Sequence, residues 1–507
     1  MPDSTATATV ATAAGTVVSA RRGQQLRLVA LILTVVVVRL ATLGAYPLMD
    51  NTEARYAEIA RKMLETGDWI TPQVQYGVPF WAKPPLSFWF TGASFAAFGV
   101  DEFTARLPQL LIAALVAWLT YRLARRHHGR DCAVRAVLVL CTTPLFFIAA
   151  GAVMTDMTLA LTTTMSMVGF WNALTTEGRR GRAWGYVFFA GLGLGLIAKG
   201  PVATVLTLAP IGAWVLWTGS WRATWKRLPW VGGTALALLL GIPWYFAAES
   251  RTPGFVEYFL VGEHWKRFID SGWRGDLYGT PHAQPRGTIW LFTLVDTLPW
   301  SLVLVWLVWR QRRDEGGART GDDATGWRAY LWLWTLAAPL FFTLSGNIMF
   351  TYAITSLPAF ALLVAEAWSA RPAATTTAGR AQRERMFAWT ALAVPLVMLL
   401  TLLLVIPRVS EKNSQKALIE RYFALRGSSA ERLIYLWPAP PSGEFYTHGK
   451  LVRAWGPHEV EPYLADASRD FFVADRDQLK AVDASLRARL DTVAEHGTVV
   501  LLRERGT

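Results

Sequence analysis

The sequence predicts an α-helical polytopic membrane protein of eleven to thirteen transmembrane helices, followed by a small α/β domain outside the membrane. Three observations predict it. The 507 residues are 53% hydrophobic and only 17% charged, whereas soluble domains carry about 25% charged residues. Apolar runs of about 18–22 residues recur along the chain, each long enough to cross ~30 Å of hydrocarbon. The basic excess, 50 Lys+Arg against 37 Asp+Glu, lies in short clusters between these runs and is therefore a topology signal. Nucleic-acid binding would need the basic residues gathered on a water-facing surface with aromatics between them, so no nucleic-acid partner is expected. Two cysteines, Cys132 and Cys141, are too few for a disulfide framework or a cysteine-based zinc site.

Residues 1–25 are Ala/Thr-rich and read as a disordered cytoplasmic N-terminus. The run 28–43 follows Arg21, Arg22 and Arg27 but lacks a small-residue cleavage site, so it is a retained first helix rather than a signal peptide. Further runs lie near 103–121, 133–150, 157–174, 184–198, 201–218, 229–248, 288–309, 327–344, 350–369 and 386–406. The apolar segment 84–99 is short and begins Pro84-Pro85. Laid at the outer interface, it leaves the basic loops 21–27, 122–135, 179–182, 222–227, 310–319 and 371–385 in one compartment, the cytoplasm. The opposite face then receives loops 47–102 and 249–287, the turn at 154–156, the Lys199-Gly200-Pro201 junction and the 345–351 turn. These belong to a membrane domain over 26–407. Residues 408–507 are polar, with β-like runs at 433–436, 470–473 and 498–502, and read as the extracytoplasmic α/β domain.

The polar groups that can carry chemistry lie on that outer face. Asp50 and Glu53 have i,i+3 spacing at the start of a helix running to about Thr66. They read either as a capping box or as catalytic carboxylates, Asp50 being placed to accept a proton from a hydroxyl. Lys83, in Trp81-Ala82-Lys83-Pro84-Pro85, is either a snorkelling anchor or a partner for a lipid phosphate. Asp156 opens an apolar span, as an N-cap or as a functional carboxylate at the membrane face. Lys199 stands at a helix break. His264 and Arg267 share a helical face in Glu263-His264-Trp265-Lys266-Arg267-Phe268. Arginine suits a phosphate and a neutral histidine suits a divalent metal. Tyr352 is an aromatic-belt residue or a phosphate donor. Together these groups suit transfer between a phosphorylated lipid and an extracytoplasmic acceptor. No internal repeat accompanies them, which argues against a transporter, and a non-catalytic scaffold leaves them without a purpose.

Six separated motifs resemble those of bacterial GT-C glycosyltransferases, in the branch related to protein O-mannosyltransferases and the lipid A aminoarabinose transferase. They are Asp50-x-x-Glu53-Ala-Arg55 with Gly67-Asp68-Trp69, Lys83-Pro-Pro-Leu, Thr155-Asp156, Lys199-Gly-Pro, Glu263-His264-x-x-Arg267-Phe268, and Tyr352 with Leu357-Pro358. The resemblance covers roughly residues 28–370. It implies an inverting transferase of the bacterial inner membrane, a monomer in the lipid bilayer, working at the periplasmic face with a polyprenyl-phosphate-linked sugar. Aminoarabinose onto lipid A is the leading pair, and a mannose or other hexose onto protein or another envelope glycan is the alternative. Carried over by motif, Asp50 is the catalytic carboxylate, Asp156 lines the same cavity, and Glu53 is a further catalytic candidate. Lys83, Arg267, Tyr352 and Lys199 hold the donor phosphate, and His264 helps hold a divalent cation. Relatives place an acidic residue before the Lys-Pro pair. Here it is Ala82, which removes one metal ligand. The C-terminal domain carries no catalytic motif and is expected to cover the cavity or help select the acceptor.

Overall fold

A computed structural model of the chain describes residues 23, 25–50, 52–279, 282–314, 325–371, 376–454, 459–465 and 468–505. All but two residues of the 1–25 segment, and parts of the 310–319 and 371–385 loops, lie outside the described residues. Every expected apolar run coincides with a helix or a broken helix pair. Among the described residues, seven helices are long and apolar enough to cross a membrane, and an eighth forms if Thr288–Asp296 and Trp300–Arg313, bent by 95°, count as one span. The remaining runs are explained individually. Glu102–Cys141 is broken at Gly129, where φ is 77°, so it holds the 103–121 run and the first part of the 133–150 run, which the short helix Pro144–Ala149 continues. Asp156–Thr175 is Thr-rich and nearly all buried within the bundle, so it faces protein rather than lipid. Trp327–Thr343 is 17 residues long. Leu86–Phe98 has 13 residues, a length of only ~20 Å, too short to cross the hydrocarbon.

The centre of the bundle is the hairpin of Asp156–Thr175 and Gly178–Lys199. Small residues let the two helices touch. A Cβ on Gly191 would stand 2.3 Å from Ser166 Oγ and 2.6 Å from the Thr162 carbonyl, and one on Gly169 would stand 2.6 Å from the Phe188 amide. Such close backbone approach is how membrane helices associate when lipid supplies no hydrophobic drive. Ser166 donates to the Phe188 carbonyl across this contact at 3.0 Å, and Thr163 and Thr164 return their hydroxyls to their own helix. The hairpin turn end carries basic contacts. Arg126 donates to the Thr175 carbonyl and Asn172, and Arg227 pairs with Glu177. The open end, ~30 Å away over 20 residues of helix, carries Asp156 and Lys199.

The C-terminal domain has a five-stranded sheet. The strands outside it, β1 (Gln73–Gln75) and β2 (Val78–Pro79), form a small hairpin in the first outer loop. The sheet uses β3 (Leu433–Tyr435), β4 (Val452–Arg453), β5 (Phe471–Asp475), β6 (Leu490–His496) and β7 (Val499–Glu504) in the order β4-β3-β5-β7-β6. The first three strands are parallel, and β7 returns antiparallel between β5 and β6. Alternation along the strands covers both faces. Leu433, Tyr435, Phe471, Val473 and Leu501 pack with Leu418, Ile419 and Tyr422, while Ile434, Phe472, Val500 and Leu502 pack with Val460, Leu464 and Leu486. The short helix Pro441–Tyr446 faces the first outer loop and docks on Glu53–Thr66.

Candidate active site

Two charge clusters meet at the open end of the hairpin. In the first, Lys199 Nζ lies 2.6 Å from Asp156 Oδ1 and 5.2 Å from the centre of the Tyr352 ring. Asp156 is therefore the counter-ion of Lys199, and its helix has no side-chain cap bond, so the N-cap reading fails. Gly200 makes the junction possible. Its φ of 81° turns the chain into Pro201 at the start of the next helix, and a Cβ there would collide with Phe259 and His264.

The second cluster is built by the outer loops. Glu263 is buried between Lys83, at 3.2 Å, and Arg267, at 3.0 Å, and Arg267 also reaches Asp276 at 3.1 Å. Burial alone would raise the Glu263 carboxyl, but the two cations hold it below the usual range. The same carboxylates push Arg267 up despite its burial. Glu263 and Arg267 come from one helical stretch, the π-helix Glu257–Lys266 and the turn that follows. Asn347 donates to the carbonyls of Arg267 and Asp270, tying this stretch to the turn that leads into Tyr352. The wall is aromatic: Trp81, Tyr258, Tyr278 and Phe80 are in mutual ring contact. Arg55 donates to the Tyr278 carbonyl and has no carboxylate partner among the described residues. Buried Tyr56 lies within electrostatic reach of Arg55, Asp156, Lys199 and Glu263, so it stands between the two clusters. The site thus collects Lys83, Lys199, Arg267, Asp156 and Tyr352 from five separate segments. Lys83 also donates to the Ala82 carbonyl at 2.7 Å, which leaves it one N–H, and Arg267 keeps donors beyond those given to Glu263 and Asp276.

The first outer loop departs from the expected pairing. The helix begins at Glu53, its N-cap is Thr52 without a cap bond, and Asp50 lies before it, so the capping-box reading fails. Asp50 and Glu53 also face different partners. Glu53 takes a bidentate pair from buried Arg106, at 2.7 and 2.8 Å, and a bond from the Val153 amide. Arg106 spends its other donors on the Leu43, Tyr46 and Pro47 carbonyls. Glu53 therefore holds the loop to the bundle rather than facing the cations. Asp50 accepts from the Ser442 amide and from Ser442 Oγ, both at 2.7 Å. Burial raises its carboxyl to about 6, against the hydrogen bonds of Ser442, which lower it.

The donor set does not suit a metal. His264, the expected ligand, turns Nδ1 to the Phe259 carbonyl at 2.8 Å and Nε2 to the Lys199 carbonyl at 3.1 Å. Burial pushes it below its ordinary value against those two carbonyls, which favour the protonated ring, and a neutral ring has one N–H to donate to either of them. Ala82 supplies no carboxylate, and among the described residues no three His, Cys, Asp or Glu gather as a metal site. His264 instead ties the π-helix to the Lys199 junction.

Sequence reasoning passed over Glu263, although its i,i+4 spacing to Arg267 was visible. Asp276 and Ser442 carried no local signal, because their partners lie far off in the chain.

The model of the dolichyl-phosphate-mannose-protein mannosyltransferase family matches residues 26–259. Among curated relatives, the undecaprenyl phosphate-alpha-4-amino-4-deoxy-L-arabinose arabinosyl transferase 1 of Pseudomonas fluorescens is 31% identical over 345 residues, 66% of this chain and 56% of that protein. The corresponding transferase of Edwardsiella ictaluri is 30% identical over 328 residues, 63% of this chain and 55% of that one. The matches thus span little more than half the length of these relatives. The crystal structure of ArnT from Cupriavidus metallidurans bound to undecaprenyl phosphate superposes with a TM-score of 0.77 at 20% identity, covering 94% of this chain and 98% of that one. The chain has the GT-C fold of ArnT. The likeness in fold covers too much of the chain to omit the C-terminal domain, and it extends well past the residues matched by the family model. Within the GT-C fold, the six motifs converge on one end of the bundle although they are spread from Asp50 to Tyr352.

Proposed function

We propose that this chain is an inverting glycosyltransferase that moves a sugar from a polyprenyl-phosphate donor to an envelope acceptor at the periplasmic face of the bacterial inner membrane, and that it works as a monomer. Aminoarabinose to lipid A is the first substrate pair to test, because relatives 31% and 30% identical to this chain are named as arabinosyl transferases. The observation that carries the reading is the pair Lys83–Arg267, buffered by Glu263 and Asp276 beside the aromatic cluster of Phe80, Trp81, Tyr258 and Tyr278.

The chemistry follows from that geometry. The acceptor oxygen attacks the anomeric carbon from the face opposite the phosphate, forming the new C–O bond as the bond to the phosphate oxygen breaks. Negative charge grows on the leaving polyprenyl phosphate, where Lys83 and Arg267 stabilise it as preorganised donors. Tyr352 and Lys199 line the neighbouring wall. A hydroxyl acceptor loses its proton to Asp50. A phosphate acceptor is already anionic, and Asp50 then orients groups instead. The match to protein mannosyltransferases supports a second reading within the same class, a hexose moved to protein or another glycan.

Mass spectrometry of envelope lipids from cells with and without the protein tests this. A sugar-sized mass missing from lipid A, with its polyprenyl-linked donor accumulating, is the expected result. Unchanged lipid A with the donor accumulating supports the second acceptor class. No change in either overturns the transferase reading.

A further inference from the structure

We infer that Ser442, in the C-terminal domain, is a positioning residue for Asp50: the domain completes the active site by fixing both oxygens of the candidate base. The inference rests on the reading of Asp50 as general base. The contact spans 392 residues of chain and is two-pronged, with the Ser442 amide on Oδ1 and its hydroxyl on Oδ2, both at 2.7 Å. Ser442 is itself fully buried and oriented, because its Oγ accepts from the Gln415 amide at 2.9 Å. The Asp50 amide donates in turn to the Asn413 carbonyl at 2.6 Å. Asp50 is thus clamped at its side chain by the C-terminal domain and at its backbone by the segment that joins the last span to that domain.

The helix that carries Ser442 is riveted in place on both flanks. Glu444 meets wholly buried Lys62 at 2.5 Å, and Lys62 also donates to the Val74 carbonyl. Arg453 pairs with the same carboxylate. The Tyr446 hydroxyl accepts from the Leu48 amide at 2.7 Å and donates to Glu102 at 3.0 Å. Lys416 reaches Glu102 at 2.6 Å. Glu444 and Tyr446 follow Ser442 by two and four residues, and Leu48 precedes Asp50 by two, so these anchors hold both halves of the contact. An ionised carboxylate accepts up to about four hydrogen bonds, so two bonds from Ser442 fix its plane while leaving lone pairs for an incoming proton.

The electrostatics agree with the geometry. The titratable group that faces Asp50 is the buried Tyr435 phenol, and among the described residues no lysine, arginine or second carboxylate shifts Asp50. The Ser442 bonds are therefore what opposes the effect of burial on Asp50. Removing the hydroxyl leaves the amide bond, frees Oδ2 to rotate, and favours the protonated form.

Two measurements on the purified full-length chain in nanodiscs test this. In an isotope-edited infrared titration, the protonated carboxyl band of Asp50 is the one missing from D50N. In S442A it is expected to titrate at higher pH than in the wild type, and in S442T to return toward the wild-type value. In transfer assays with undecaprenyl-phosphate-linked aminoarabinose and lipid A, S442A is expected to lose roughly tenfold in kcat at pH 6.5 with donor KM nearly unchanged, and its acid limb moves up in pH. An Asp50 band that titrates identically in S442A, or transfer that rises in S442A, overturns the inference. Full transfer by D50N sinks the base reading instead, and the infrared titration still reports on the contact.

Discussion

At the scale of single residues, the site is governed by how each charge is matched. Glu263 holds Lys83 and Arg267 at fixed positions. Arg267 offers a planar fork that lysine lacks, and R267K is expected to lower kcat/KM about 100-fold while leaving the melting temperature nearly unchanged, read by transfer assay and thermal unfolding. The Asp50 carboxyl, raised to about 6 by burial, sets a second expectation. A general base must be deprotonated, and raising its pKa moves the acid limb upward. Transfer to a hydroxyl acceptor should therefore fall as pH drops through about 6, where an unperturbed aspartate would hold activity to about pH 4. A pH–rate profile for kcat measures this, and D50E should keep a limb that D50N lacks.

At the scale of elements, the charges meet because a hairpin of two helices packs through glycine. G191L places a side chain where Ser166 Oγ and the Thr162 carbonyl already stand, and should push Asp156 away from Lys199. A loss of about 1–3 kcal/mol in stability is expected, read as a lower melting temperature, together with weaker transfer. This scale is also where sequence and structure agree most. Apolar runs are local in sequence, so each of the eleven was legible, as were the short strands at 433–436, 470–473 and 498–502 and the brevity of 84–99. The breaks were legible only in part. Gly129 and Pro299 interrupt runs, but no local pattern says how far the chain turns there. Glu53 shows the limit most plainly. Its spacing to Asp50 suggested a shared task, yet its partner is Arg106, 53 residues on. Ser442 lies 392 residues from Asp50, and only folding reveals the pair.

At the scale of the whole molecule, two arrangements decide function. The first is polarity. Asp156, Glu263, Lys83, Lys199 and Arg267 occupy one end of the bundle, and Arg126 and Arg227 occupy the other. A cysteine at Ser220, beside the 222–227 basic loop, should resist membrane-impermeant thiol reagents added to spheroplasts, while one at Ser428 in the C-terminal domain should react. The native Cys132 and Cys141 do not interfere, since one is buried and the other lies within the bundle. The second is the docking of the C-terminal domain through Lys62 and Glu444. Lys62 keeps buried Glu58 at 3.4 Å, so removing Glu444 costs less than the about 3–5 kcal/mol of a wholly uncompensated buried charge, but it releases an ion pair that ties the domain to the first outer loop. E444A should therefore loosen the domain, seen as earlier protease cutting near residue 408, while the membrane helices stay protected.

The central claim is that Lys83 and Arg267 hold the phosphate of a polyprenyl donor. Native mass spectrometry of the full chain titrated with undecaprenyl phosphate tests it most directly, because it needs no knowledge of the sugar or the acceptor. The wild type should bind one lipid, and K83M/R267M should bind it at least about 100-fold more weakly, as expected for two lost charge-assisted contacts. Equal affinity in the wild type and the double variant would contradict the account, since the phosphate would then be held elsewhere on the chain.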